Sequence, residues 1–235
     1  ALVEQLGYLP LALEQAGAFI FQQGDYFGFG DYLLEYEKSK NELLDIKVLG
    51  SNMYPDSVIT TWNSTISKLS PTGRAILHLL SYLAPIPMLV EHLIKVTAII
   101  CDHAEKFYSS SSLKENIGKT LWLRNELAKL KAYSMIEYDG HSFSMHPLLQ
   151  VVEQITDSPE QINITWNQAA EILIEIAPPA SWADDCRLRW SLINDKLWSS
   201  ILSHISNLEK IILQRDQNKK QIIIVPDTFK YLHLN

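Results

Sequence analysis

Two short stretches carry residue types that could meet a polar ligand: Leu6-Gly7-Tyr8-Leu9-Pro10-Leu11-Ala12-Leu13, and Ser144-Met145-His146-Pro147-Leu148-Leu149-Gln150 in the second half of the chain. In the first, a glycine and a proline flank a break. The opening turn of the next helix then has backbone N–H groups without intrahelical partners, and its positive dipole end faces whatever lies there. The plainer reading is a turn between two helices of a bundle. In the second stretch Pro147 suits a first helical turn, so His146 stands at a helix mouth. There the dipole disfavours an imidazolium and leaves a neutral ring able to donate one hydrogen bond to an anion such as phosphate. The plainer reading is a histidine that caps its own helix.

Other constellations carry less. Gly118-Lys119-Thr120 ends like a phosphate-binding loop, but Leu113 stands where such a loop needs glycine and no buried strand precedes it, so the triplet reads as a helix segment. No apolar strand ends in an acidic pair that could hold magnesium, so no catalytic residues are assigned and ATP hydrolysis by this chain is not expected. His103 near Cys101, or His141 near His146, gives two metal ligands without partners, which do not make a site. No Ser-His-Asp or Cys-His grouping has supporting context. The two cysteines, Cys101 and Cys186, form no disulfide framework, which points to a reducing, cytoplasmic setting. Asn63-Ser64-Thr65 and Asn163-Ile164-Thr165 match a glycosylation triplet frequent by chance and are discounted.

Helical periodicity positions these stretches. Leu2, Leu6, Leu9, Leu13, Ala16 and Ile20 recur every three or four residues, with one helix ending near Gly7 and another running from Pro10 to about Gln23. A helix over 29–44 turns Tyr32, Leu33, Tyr36 and Leu43 inward, and Gly50-Ser51-Asn52 with Pro55 reads as a linker. The pattern restarts with Ile59, Trp62, Ile66 and Leu69, and Ser70-Pro71 caps a helix reaching about Leu83. Ala84-Pro85-Ile86-Pro87 breaks it. Helices are then expected over 88–100 and 113–132, separated by a polar loop at 109–112. Asp139-Gly140 between two short apolar runs signals a β-hairpin. Helices follow from Pro147 to before Ser158-Pro159, over 164–176, and over 188–213 as two helices; Ile222-Ile223-Ile224-Val225 is ambiguous. The six tryptophans sit at helical spacing and read as core.

The chain has 235 residues, 47% hydrophobic and 20% charged, with a formal charge of −7. Such usage suits two or three small globular units and opposes a broad electrostatic grip on nucleic acid. The apolar runs fall well short of the ~20 residues a membrane helix needs.

Leu6-Gly7-Tyr8-Leu9-Pro10-Leu11-Ala12-Leu13 resembles the Gly-Leu-Pro-Leu-Ala-Leu motif of NB-ARC and related STAND signalling ATPases. Ser144-Met145-His146-Pro147 is similar to their Met-His-Asp motif, with Pro147 in place of the aspartate. Val58-Ile59-Thr60-Thr61-Trp62, Leu69-Ser70-Pro71 and Ile86-Pro87 resemble the winged-helix region of members carrying tetratricopeptide repeats. Leu197-Trp198 to His204 resembles the segment leading into those repeats, so the likeness spans about residues 1–208.

The resemblance implies a mainly α fold: a helical bundle over 1–50, a winged-helix domain with one hairpin over 57–157, and a helical, repeat-like extension over 160–235. It implies ADP or ATP held jointly with a preceding P-loop domain, Pro10 against the adenosine and His146 on the β-phosphate, with Gly7 and Leu11 beside them. The lock made by the family's aspartate does not carry over. Implied partners are the P-loop domain, proteins docking on the C-terminal helices, and further copies of the chain on activation; tight nucleotide binding by this chain alone is not expected. Two alternatives stay open. One is a winged helix reading DNA through Lys119, Arg124, Lys129 and Lys131; the other is a helical adaptor with no nucleotide role.

Overall fold

The computed structural model describes residues 2–45, 56–109, 113–154, 157–177 and 196–216. The expected linker at 50–55, Cys186, the first half of the 188–213 segment and the 222–225 stretch lie outside the described residues. The fold is mainly helical, with one small three-stranded sheet.

The chain opens with a short α1 (Leu2–Gln5), then α2 (Pro10–Gln23) and α3 (Phe29–Asp45). Ala12, Ala16 and Phe19 of α2 are buried against Tyr32 and Tyr36 of α3, and Phe19 meets Tyr32 edge-on with ring centroids 5.4 Å apart. α4 (Asp56–Ile66) covers both helices and buries Ile59 and Trp62. This first bundle docks on the rest of the molecule through α2 and, by way of Trp62 and Glu153, through α4. Phe19 packs on Tyr133 at 6.4 Å, and the Gln15 amide reaches the Met135 sulfur at 3.9 Å.

α5 (Pro71–Tyr82) is the central element. Ser70 caps it by accepting from the Gly73 amide at 3.0 Å, and Pro71 occupies its first turn. Every residue from Thr72 to Tyr82 except Arg74 is buried, because α7, α8, α9 and α10 surround it. Its C-terminal carbonyls, which have no partners within the helix, accept from side chains of later elements. Gln150 donates to Leu80 and Leu83, Gln154 to Ser81, and Asn207 to Tyr82 and Leu83.

Residues 88–100 are not one helix. Met88–Leu89 forms strand β1, α6 runs Val90–Lys95, and α7 runs Thr97–Tyr108 after a break at Val96. Helical periodicity cannot see β1, since its two residues are selected by pairing with a strand over fifty positions away. The expected long helix over 113–132 is also divided. A 3₁₀ turn (Leu113–Asn116) precedes α8 (Thr120–Ala132), and Gly118 lies between them at φ +75°, a conformation glycine adopts at no steric cost. Gly118-Lys119-Thr120 is therefore a helix-start turn and not the helix segment expected. The Gly118 amide donates to Thr97 Oγ1 at 2.8 Å, and the preceding element is a 3₁₀ turn, whereas a phosphate-binding loop follows a strand.

After α8 come β2 (Glu137–Tyr138) and β3 (Ser142–Ser144), the expected hairpin. The sheet order is β1-β3-β2, all antiparallel, with Met88 opposite Phe143 and Tyr138 opposite Phe143 on its other side. The turn is closed by Asp139, whose Oδ1 accepts from the His141 and Ser142 amides at 2.8 and 2.6 Å. Those backbone donors hold its carboxyl down at about 2. α9 (Pro147–Gln154), α10 (Pro159–Ile176) and α11 (Lys196–Asp216) complete the order. α10 begins earlier than the periodicity suggested because Ser158 and Gln161 form a reciprocal capping box. The Trp166 indole donates to the Leu208 carbonyl at 3.1 Å, tying α11 to α10. Buried side chains from α2 through α11 form one continuous apolar cluster, and no described helix is long and apolar enough to cross a membrane.

Candidate functional site

The turn before α2 is built by its backbone. The Tyr8 amide donates to Val3 O and the Gly7 amide to Glu4 O, both at 3.0 Å, the paired bonds that close a helix through a left-handed residue. Gly7 and Tyr8 accordingly have φ of 62° and 57°. Leu9 is extended and Pro10 supplies the first residue of α2. The Gly7 amide is thus committed within the turn. Gly7 and Pro10 are exposed, while Leu11, one residue into the helix, is half-buried.

His146 follows β3 directly and precedes Pro147. Its Nδ1 accepts from the Leu148 amide at 3.1 Å, so the ring does cap its own helix. That bond also has a chemical consequence. An Nδ1 that accepts carries no proton, so the neutral ring bears its hydrogen on Nε2, and this exposed N–H is the donor it presents outward. The two readings of this histidine are compatible.

Leu11 and His146 line the same cleft, of about 610 Å³, with Glu14, Lys131, Tyr138 and Asp139 among the other residues on its walls. Its size is that of a small-molecule site. Gly7 and Pro10 are not among the lining residues; the motif reaches the cleft through Leu11. A second groove of about 810 Å³, bounded by Leu13, Gly17 and Phe21 of α2 and by Ala128 and Ala132 of α8, shares Glu14, Lys131, Tyr138 and Asp139 with it. The cleft walls carry three carboxylates, Glu14, Glu137 and Asp139, against the single ammonium of Lys131. Such a surface holds a polyphosphate only weakly unaided. Sequence reading located the hairpin by its Asp-Gly pair, but not that the hairpin faces α2, since that depends on the Phe19–Tyr133 contact.

A separate polar cluster lies in the interior between α5, α7, α9 and α10. His78 Nε2 stands 3.0 Å from Asp157 Oδ2, His78 Nδ1 2.9 Å from His103 Nε2, and His103 Nδ1 2.6 Å from Gln168 Oε1. Tyr82 donates to Asp157 at 2.6 Å and Trp62 Nε1 to Glu153 Oε2 at 2.9 Å. Burial pushes the Glu153 carboxyl up to about 7 and the His103 imidazole down to about 4. No sequence signal marks this cluster, because its members are 25 to 91 residues apart in their bonded pairs. Among the described residues no group of three or more His, Cys, Asp or Glu side chains is arranged to hold a metal ion.

Of the cations proposed to read DNA, Arg124 donates to the Gly140 carbonyl at 2.6 Å and Lys129 is bonded to Glu126 at 2.7 Å. No family model matches the chain, and neither a curated protein nor a solved structure matches it.

Proposed function

We propose that this chain is the nucleotide-state-sensing part of a signalling ATPase of the NB-ARC type, working with a preceding P-loop domain that supplies the cations and magnesium ligands. The observation that carries this reading is the shared cleft: Leu11 of the Gly-Tyr-Leu-Pro-Leu stretch and His146 of the Ser-Met-His-Pro stretch, 135 positions apart in the chain, line one concave wall. An outward Nε2–H on His146 suits a terminal phosphate oxygen, and Leu11 offers an apolar surface to a base or ribose. The acidic balance of the remaining wall explains why the phosphates' countercharge must come from the other lobe. Loss or gain of a phosphate would change the His146 contact and so favour one arrangement of the lobes over another, which is what a ligand must do to shift a conformational equilibrium. Release would leave the faces available for assembly with further copies. The engaged states of Arg124 and Lys129 favour this reading over DNA recognition by α8.

The test is His146→Ala in the protein extended to include its P-loop domain. A hydrogen bond to a charged phosphate contributes about 1.5–3 kcal/mol, so ADP is expected to dissociate at least about tenfold faster. The population of oligomers is expected to rise. ADP retention and assembly state both equal to those of the unaltered protein would overturn the proposal.

A further inference from the structure

The outward faces of α2 and α8 follow one pattern. On α2, Pro10, Glu14, Gly17 and Phe21 are exposed at spacings of four, three and four, while Ala12, Ala16 and Phe19 are buried on the opposite side. On α8, Leu121, Asn125, Ala128 and Ala132 recur at the same spacings, while Leu123, Leu127 and Leu130 are buried. Each face holds one large apolar side chain out in solvent, Phe21 at 81% exposure and Leu121 at 73%, beside small residues. The groove of about 810 Å³ runs between the two helices, with Gly17 and Phe21 on one wall and Ala128 and Ala132 on the other.

Among the described residues nothing fills this groove, and one of its residues points to a filling from outside. Gly17 sits in the middle of α2, where glycine costs about 1 kcal/mol against alanine. A Cβ built there meets no atom within 4 Å. The packing of the chain itself therefore does not call for glycine at this position, whereas a second surface laid closely on α2 does.

The charges of the two walls say what that surface is. The first 37 residues hold six carboxylates and no Lys, Arg or His. Among the described residues none of Glu14, Asp25, Glu35 and Glu37 is ion-paired. α8, in contrast, carries Arg124, Lys129 and Lys131 beside its outward face, and its single acid, Glu126, is buried, with Ser70 and Lys129 bonded to it. An acidic face with a projecting phenyl ring and a basic face with a projecting leucine complement one another. Within one chain they lie side by side across the groove and do not meet. A two-fold axis brings them together twice, because it places α2 of one copy on α8 of the other and the reverse. A partner of wholly basic or wholly acidic surface suits one wall and is repelled by the other.

We propose that this chain pairs with a second copy of itself across the α2–α8 groove, Phe21 of each copy seated over Ala128 and Ala132 of the other and Glu14 facing Lys131. The small residues let the helices approach closely, the phenyl ring supplies apolar burial, and the opposed charges set the orientation. The pairing needs no nucleotide. It rests on these two helix faces and not on the reading of the Leu11–His146 cleft.

The experiment is sedimentation equilibrium of the chain, without nucleotide, from micromolar to submillimolar concentration. The wild type is expected to form dimers and nothing larger, since an isologous contact closes on itself. Glu14→Lys and Lys131→Glu each replace attraction by repulsion at both symmetry-related contacts, so each is expected to raise the dissociation constant at least about tenfold. The double variant is expected to restore pairing. Gly17→Leu meets open space in the single chain, so its urea midpoint should not fall, but it fills the groove and should abolish pairing. A chain that stays monomeric at every concentration, or one that grows past two copies, overturns the proposal. So does a dimer indifferent to Gly17→Leu, or single reversals that the double variant does not rescue.

Discussion

Trp166→Ala is expected to lower the stability of the fold by about 3–5 kcal/mol, the range for truncating a large buried aromatic side chain. Trp166 is fully buried, and its indole is the hydrogen-bond tie between α10 and α11. The substitution leaves a cavity next to Leu208 and removes the indole bond to its carbonyl, which keeps its place in the α11 ladder, so the lost hydrogen bond itself adds about 0.5–1.5 kcal/mol. Much of that cost falls on α11, which otherwise docks through His204 on the Ala84 amide and Asn207 on the end of α5. Urea unfolding followed by far-ultraviolet circular dichroism should therefore show a lower midpoint, together with earlier loss of signal from α11. A change below about 1 kcal/mol would place Trp166 outside the core and contradict the packing described.

Trp62→Ala is expected to cost a similar amount, about 3–5 kcal/mol, with a different signature. Trp62 is 1% exposed and donates to a buried carboxyl, so removing it both opens a cavity and orphans Glu153. Trp62→Phe separates the two effects: it retains most of the ring volume and removes only the N–H. Because the Glu153 carboxyl is raised to about 7, it is neutral in the folded protein well below that pH and ionised well above it. A neutral acceptor loses about 0.5–1.5 kcal/mol with its donor and an ionised one about 1.5–3 kcal/mol. The Trp62→Phe penalty should therefore grow between pH 5.5 and pH 8.5 in unfolding measurements at about those two values. A penalty independent of pH would mean that the indole bond does not discriminate between the two protonation states of Glu153.

The parts of this fold that were legible in the sequence are those governed by neighbours three or four residues away. The break between α1 and α2, the Ser70-Pro71 start of α5 and the Asp139-Gly140 hairpin follow from local turn chemistry and lie where that chemistry puts them. Met88–Leu89 escaped because a two-residue strand has no period of its own; it exists only as the partner of Phe143 and Ser142. Gly118 escaped because one glycine inside an apolar helical pattern is tolerable, and only its φ of +75° shows that it ends one element before the next begins.

The candidate site divides in the same way. His146 and the Pro10 turn were visible as helix mouths, but the cleft residue contributed by the first motif is Leu11, one position beyond the proline. The acidic wall of Glu14, Glu137 and Asp139 was not visible, since it arises only when α2 lies across the hairpin. The buried histidine pair was invisible for a further reason. His103 was weighed only as a lone metal ligand beside Cys101 and His78 was not singled out, because their partners Asp157 and Gln168 are brought in by elements that follow much later in the chain.

Whether the cleft shared by Leu11 and His146 faces a nucleotide is tested most directly by a chemical-shift map of this chain titrated with millimolar ADP. Weak, saturable shifts concentrated on Leu11, Glu14, Ser134 and the amides of Leu148 and Leu149, with movement of the His146 ring Nε2, are the predicted result. Shifts absent at every concentration, or confined to the far side of α5 and α10, would contradict it.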